Sequence, residues 1–459
     1  MVSCLLSFYK GVGAFVRFQS SFFQGPITLK RLGRIVLFGV FFGGGTTVAL
    51  SEPLKAFYIG HSLSDEIPQM VQSLSEDAEG ISFDWRYQSI PGASLEWQWG
   101  RMNDQGPDPF IHPFYDQEDG LPAGDFDVLV MVDSVPRHWT EWGIETTYIY
   151  TGLFLDYAQT HNPEIQIYLY EPWHCINSGT PSGCDWDIDS NPWRQRLIDD
   201  LPMWESAVTY LNTDHEPPPT HPVRLIPAGQ GMARLYDAIA AEEVPGIDSI
   251  EDLFSDDIHL TNLGRYFIAC IHYAVLHDQS PVGLTHQLQN PWGGNYDPAP
   301  TPEQAEIFQM LAWQTVKEYR ARVAYLDWRT EHFSPAEIED GSADPEADPF
   351  ATGIPNWFHF MFGSTPQSTG DVRNPLSLVW EEDGPLLQFQ IRREIPVSMW
   401  WVESSTILQE NSWQRDDLRL PIVTEEYNND FDTVIIEDAD PPAPASFYRL
   451  WGQGPFDWE

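Results

Sequence analysis

Four short apolar runs constrain this chain more than any other feature. Residues 55–60 (Lys-Ala-Phe-Tyr-Ile-Gly), 126–132 (Phe-Asp-Val-Leu-Val-Met-Val), 165–170 (Ile-Gln-Ile-Tyr-Leu-Tyr) and 223–227 (Val-Arg-Leu-Ile-Pro) are strand-length and nearly continuous in hydrophobicity. A strand with one wet face alternates apolar and polar side chains, whereas a strand buried on both faces does not. Between the runs lie helical patterns at 67–74, 148–160, 193–211 and 232–242, and two more follow at 263–277 and 302–323. Strands alternating with helices predict an α/β domain, a central parallel sheet covered on both faces by helices, over residues 52–332.

The pattern changes beyond that domain. Residues 333–355 contain Ser-Pro-Ala, Asp-Gly-Ser-Ala-Asp-Pro and Ala-Asp-Pro and read as a linker. From Leu376 onward short β-rich runs (376–380, 386–392, 397–403 and 433–436) are separated by polar turns, which predicts a small antiparallel sandwich within 356–459.

Charge and export signals bound the function. The chain has 24 Lys and Arg against 68 Asp and Glu, a net charge of −44. A field of that sign repels phosphate backbones and anionic membranes, so nucleic acid is not an expected partner. The first 51 residues contain no acid. There Arg31 and Arg34 precede an apolar run from Ile35 to Phe42, and Ala49-Leu50-Ser51 follows. Basic flank, short apolar core and small residues predict a signal peptide cut after Ser51, hence a secreted or periplasmic protein without stable membrane insertion after processing. Cys175 and Cys184 sit in a loop-like stretch where an oxidising compartment favours a bridge, and Cys270 reads as a buried thiol. No cysteine spacing matches a zinc site, and no cofactor is expected.

Two motifs carry chemistry. Gly60-His61-Ser62-Leu63 directly follows the first strand, so Ser62 is expected at the carboxyl edge of the sheet, where such folds bind ligands. A serine there can serve merely as a helix N-cap. Asp256-Asp257-Ile258-His259 lies at the other end of the same domain, and an aspartate three residues before a histidine can orient the ring to take a proton from a serine.

With these motifs the chain resembles the SGNH/GDSL hydrolases over roughly residues 54–330. The resemblance implies a three-layer flavodoxin-like fold and a triad of Ser62, His259 and Asp256. It also implies an oxyanion hole using the N–H groups of Ser62 and Gly92, the latter from Ile90-Pro91-Gly92-Ala93-Ser94-Leu95. In the family's nucleophile block an acid stands where this chain has His61. The third block ends Gly-x-Asn-Asp in the family but Met131-Val132-Asp133-Ser134 here, so the usual Asn donor is missing and Ser134 is the candidate replacement. An ionised Asp133 cannot donate and would oppose an oxyanion, which predicts that its carboxylate is held away from the cleft. On that expectation Asp133→Asn leaves activity nearly unchanged. His61, Glu171, His174 and Gln230 are candidate substrate contacts. The segment 353–366 also resembles one that follows an Asp-rich calcium loop in secreted bacterial enzymes. Here only Asp344, Glu346 and Asp348 of the acidic pattern remain, and no bound metal is expected.

The expected activity is hydrolysis of an O-acyl ester, acetyl above all, on a small molecule or polysaccharide. Two alternatives stand beside it: a lipase-like or general short-chain esterase, and a non-catalytic carbohydrate-binding protein on a decayed hydrolase scaffold.

Overall fold

Alternation within the apolar runs sorts the two faces of one sheet. The computed structural model describes residues 53–100, 111–137, 143–368, 377–381, 384–405, 414–415, 422–426, 430–437 and 447–452; the expected signal peptide lies outside them. The strands β1 (Leu54–Gly60), β2 (Phe83–Ser89), β3 (Val128–Val132), β4 (Gln166–Tyr170) and β5 (Arg224–Ile226) are all parallel, in the order β2-β1-β3-β4-β5. That is the flavodoxin-like doubly wound order.

Ala56, Tyr58, Val128, Val130, Val132, Tyr168 and Tyr170 face one layer of helices. It is built from α1 (Ile67–Asp77), α5 (Ala228–Ala240), α6 (Asn262–His277) and the first part of α7 (Pro302–His332). The intervening residues Phe57, Ile59, Leu129, Met131 and Ile167 face the opposite layer, which includes α3 (Ile144–His161) and α4 (Trp193–Thr213), with α2 (Leu95–Gln98) at its edge. Both sets are buried, so both faces of each central strand had to be apolar.

The fifth strand, β2, was not among the four expected. Its sequence, Phe-Asp-Trp-Arg-Tyr-Gln-Ser, is that of an edge strand, paired on one side only and partly exposed along its length. Its signal is the alternation Phe83, Trp85, Tyr87, which a search for continuous apolar runs overlooks.

The chain divides into two compact units between Tyr319 and Arg320, inside α7. This division falls ahead of the expected boundary at residue 332. The expected linker at 333–355 is also folded rather than extended, with α8 (Pro335–Glu339) inside it. Phe333, Ala343 and Ile354 are buried in the second unit's core with Tyr325 and Trp328, and the Tyr325 hydroxyl donates to Ala343 O at 2.9 Å. Helix α9 (Asn356–Phe362) joins that core. Polar, Pro-rich composition here reports turns bound to a core, not a free tether. Asp348 accepts the N–H groups of Thr352 and Gly353 and so closes its own turn.

The rest of the second unit is antiparallel. Strands β6 (Ser377–Glu381), β7 (Gly384–Arg392), β10 (Ile422–Glu426) and β11 (Phe431–Glu437) form a sheet in the order β10-β11-β7-β6. Strands β8 (Trp400–Ser405), β9 (Gln414–Arg415) and β12 (Phe447–Gly452) form another, ordered β12-β8-β9. Leu387, Phe389 and Ile391, then Val434 and Ile436, then Trp400 and Val402, recur at period two and share one core. No helix among the described residues is long and apolar enough to cross a membrane.

Candidate active site

The site sits where β1 and β3 end. These strands pair with an offset of 72 residues, from Ala56 with Val128 to Ile59 with Met131, and beyond the paired stretch His61 Nε2 reaches Asp133 O. After Gly60 the chain makes a turn and does not enter α1 until Ile67. Ser62 is therefore on a turn five residues ahead of the helix, not at its head. Gly60 is required there: a Cβ on it would collide with the Ser64 hydroxyl and lie 2.7 Å from Val132 Cγ1.

Hydrogen bonds hold this turn from several elements. His61 O accepts from Ser64 N at 2.8 Å, and the Tyr87 hydroxyl lies 3.0 Å from the same oxygen. Ser89 Oγ donates to Asp65 Oδ1 at 2.8 Å, and the Tyr170 hydroxyl donates to Leu63 O at 3.2 Å. Gly60 O accepts from Ile90 N at 3.1 Å and from the Gln98 side chain. Tyr87 and Ser89 belong to the unforeseen strand β2, so their supporting role was hidden with it.

The acid–base turn is built as a unit. Asp256 Oδ1 accepts the N–H groups of Ile258 and His259 at 2.9 and 2.7 Å, and Asp256 Oδ2 lies 2.7 Å from His259 Nδ1. His259 Nε2 lies 2.8 Å from Ser62 Oγ. An acceptor carboxylate on Nδ1 places the ring proton there and leaves Nε2 to accept from the serine hydroxyl. Burial pushes the Asp256 carboxyl up, but the two backbone donors and the ring outweigh it and hold the carboxyl below its ordinary range. The His259 and Asp256 side chains are 35% and 56% exposed, so the pair is open to a solute.

Asp133 is wholly buried and turned into the protein. It accepts from Leu95 N at 2.9 Å, Ser134 N at 2.8 Å and Thr147 Oγ1 at 2.6 Å, and it pairs with the buried Arg137 guanidinium. The expectation that its carboxylate is held by backbone donors or a basic group agrees with this arrangement. Arg137 Nη2 also donates to Ser134 Oγ at 2.8 Å, which leaves the Ser134 hydroxyl proton for another acceptor. Arg137 was not singled out from the sequence, since nothing in its surroundings there identifies a partner four residues away. Gly92 is exposed on a turn with φ +69°, a conformation that favours glycine, and a Cβ there would meet nothing within 4 Å.

The four candidate substrate contacts do not line an open cleft. His61 is buried, with Nε2 3.1 Å from Asp133 O and Nδ1 3.4 Å from Leu63 N, and burial pushes its pKa down, so the neutral ring ties the turn that carries Ser62 to β3. Gln230, expected at the rim, is fully buried because α5 begins immediately after β5 and packs its first turn on the loop after β4. Its amide donates to Glu171 Oε1 and Leu197 O, both at 2.7 Å. Glu171 is equally buried, and desolvation raises its pKa well above the carboxylate range. His174 is buried too, with Nε2 2.9 Å from Asp200. Cys175 and Cys184 form a disulfide, and Cys270 is a buried thiol.

No protein-family model matches the chain, and no curated protein matches it in sequence. Solved structures resemble it only distantly. A DUF4886 family protein from Bacteroides uniformis is 16% identical, with a TM-score of 0.40, over 58% of this chain and 95% of that one. A protein described as a GDSL-like lipase from Parabacteroides merdae is 14% identical, with a TM-score of 0.33, over 50% and 97%. A carbohydrate esterase family 3 protein from Talaromyces cellulolyticus is 14% identical, with a TM-score of 0.30, over 50% and 100%.

Proposed function

We propose that the chain is a serine hydrolase of the SGNH/GDSL type that cleaves O-acyl esters, acetyl esters of carbohydrates above all. The observation that carries this reading is the line from Ser62 Oγ to His259 Nε2 at 2.8 Å and from His259 Nδ1 to Asp256 at 2.7 Å. His259 takes the Ser62 proton as Oγ attacks the acyl carbon. The N–H groups of Ser62 and Gly92, with the Ser134 hydroxyl, stabilise the oxyanion. Collapse expels the alcohol, which receives the proton from His259 Nε2 and leaves acyl-Ser62. Water then gives its proton to His259, attacks the acyl carbon and releases the acid as the proton returns to Ser62. The inward carboxylate of Asp133 supports a working site rather than a decayed one, because its charge is neutralised by Arg137 instead of facing the oxyanion.

The test is hydrolysis of p-nitrophenyl acetate. Wild type turns over, and Ser62→Ala, His259→Ala and Asp256→Ala each lose about three orders of magnitude or more, as triad deletions do. Equal rates for wild type and Ser62→Ala would sink the reading. Export is part of the proposal and rests on the leader pattern; the secreted protein would begin at Glu52 by N-terminal sequencing.

A further inference from the structure

Two tryptophans are held out in water on loops that are otherwise tied down. Trp292 is 84% exposed. It sits at the tip of a loop closed by a bridge between Gln289 and Asn295, and Asn290 Oδ1 accepts the N–H groups of Trp292 and Gly294 at 3.0 and 3.1 Å. The foot of this loop is bonded to the segments that follow Ser62 and His259. The Tyr296 hydroxyl donates to Glu66, four residues past Ser62, and Asp297 O accepts from Asn262 Nδ2, three residues past His259, at 2.8 Å.

Trp186 is 60% exposed, with Ile188 beside it at 65%. Both flank Asp187, which is buried in an ion pair with Arg196. They follow, by two and four residues, the loop closed by the Cys175–Cys184 disulfide, and that closed loop donates Ile176 N to Asp257 O at 2.8 Å, between Asp256 and His259.

An indole offers a large flat contact surface and, with two side-chain torsions, loses little entropy when a ligand covers it. The flat apolar faces of pyranose rings, edged with hydroxyls, match such surfaces, while a net charge of −44 disfavours polyanions. We infer that Trp186 and Trp292 are stacking platforms for uncharged saccharide rings, which present a carbohydrate chain to Ser62. This rests on the esterase reading for the site it serves, but binding itself needs no chemistry.

The test uses the full chain in two arms. In the first, unacetylated xylo-, cello-, manno- and chito-hexaose are titrated calorimetrically into Ser62→Ala. The same titrations are run with Trp186→Ala and Trp292→Ala added, and with Trp→Tyr at each position. At least one hexaose should bind, with affinity falling about tenfold for each alanine and recovering with tyrosine. In the second, p-nitrophenyl acetate hydrolysis should be unchanged by either tryptophan substitution, while acetyl release from the acetylated form of the binding hexaose falls about tenfold in kcat/KM. If p-nitrophenyl acetate is hydrolysed but no hexaose binds, or binding ignores both tryptophans, the platforms are overturned and the esterase stands. If a hexaose binds through the tryptophans but no ester is cleaved, the esterase reading falls and the platforms stand.

Discussion

Asp133 meets four donors and has no exposure, and its partner Arg137 is itself 1% exposed. The sequence-based expectation for Asp133→Asn, activity nearly unchanged, considered only the oxyanion. In the fold this substitution takes the carboxylate away from a buried guanidinium and points an amide donor at groups that already donate. Breaking a buried pair by removing one partner costs about 3–5 kcal/mol. At roughly 2–4 °C per kcal/mol for a unit of this size, Tm should fall by about 6–20 °C. The check is a calorimetric scan beside esterase kinetics at 15 °C, where the variant is still folded. A Tm within a degree or two of wild type would mean that the Arg137 pair contributes nothing to stability. Gly92 poses the opposite case, since a Cβ there has room and only the positive φ resists it. Gly92→Ala should cost about 1–2 kcal/mol and leave the N–H in place.

At the scale of elements, the disulfide loop is a brace. Trp173 Nε1 donates to Ile258 O at 2.7 Å and Ile176 N to Asp257 O at 2.8 Å, so residues on both sides of Cys175 hold the turn that carries Asp256 and His259. Closing so short a loop is worth roughly 2–3 kcal/mol by the chain-entropy account. Cys184→Ser should therefore lower kcat several-fold with little change in KM and reduce Tm by about 5–10 °C, and reduction of the wild type should do the same. Unchanged kcat in the folded variant would show that the turn stands without its brace. The six longer helices and four of the five strands were legible because burial on both faces of a strand imposes a nearly continuous apolar run. The hydrogen-bonded line of Ser62, His259 and Asp256 was legible because its signals are local: Asp256 to His259 is one turn, and Ser62 follows directly after a strand. Strand β2 and its Tyr87 and Ser89 escaped because this edge strand alternates aromatic and polar residues and is partly exposed along its length. Glu171, His174 and Gln230 were misplaced because sequence gives a residue's position along a strand edge but not which way the next helix packs. The Asp133–Arg137 pair was only half legible, since charge at 133 demanded a partner but did not name it.

At the scale of the whole molecule, stability against pH is set by groups whose burial opposes their charge. His272 and His277 are pushed down by desolvation to about 3 and about 4. An unfolded histidine binds a proton below about 6.5. Between 6.5 and those values the unfolded chain therefore holds more protons than the fold, and stability falls as pH drops through that window. His272 Nε2 has no hydrogen-bond partner, and the ring is stacked on Tyr58, so His272→Phe should flatten the decline between pH 6.5 and 4.5. An unaltered slope in thermal scans across that range would assign the decline elsewhere.

Glu171 works in the other direction, and it tests whether a buried carboxyl after β4 belongs to the scaffold or to the chemistry. Desolvation raises its pKa well above the ordinary value, with Glu205 and Asp200 adding like-charge repulsion. The fold thus retains a proton that the unfolded chain releases above about 4.5. Stability from this group is present below that pH and is lost progressively as pH rises towards the raised folded value. Glu171→Gln keeps the acceptor for Gln230 Nε2 and replaces the titrating hydroxyl with a permanent donor. The new amide nitrogen takes the place of the second Glu171 oxygen, and the neighbouring Gln230 Oε1, buried without a partner, is an acceptor for it. The variant should match wild type near pH 4.5 and become progressively more stable by pH 8, with the gain read as a rising difference in Tm at constant salt. Ester hydrolysis should not change, because Glu171 lies under the surface and is bonded there to Ile226, Gly229 and Gln230. A loss of activity without the pH-dependent gain would instead place Glu171 in the site, as a substrate contact reached by opening of the loop that follows it.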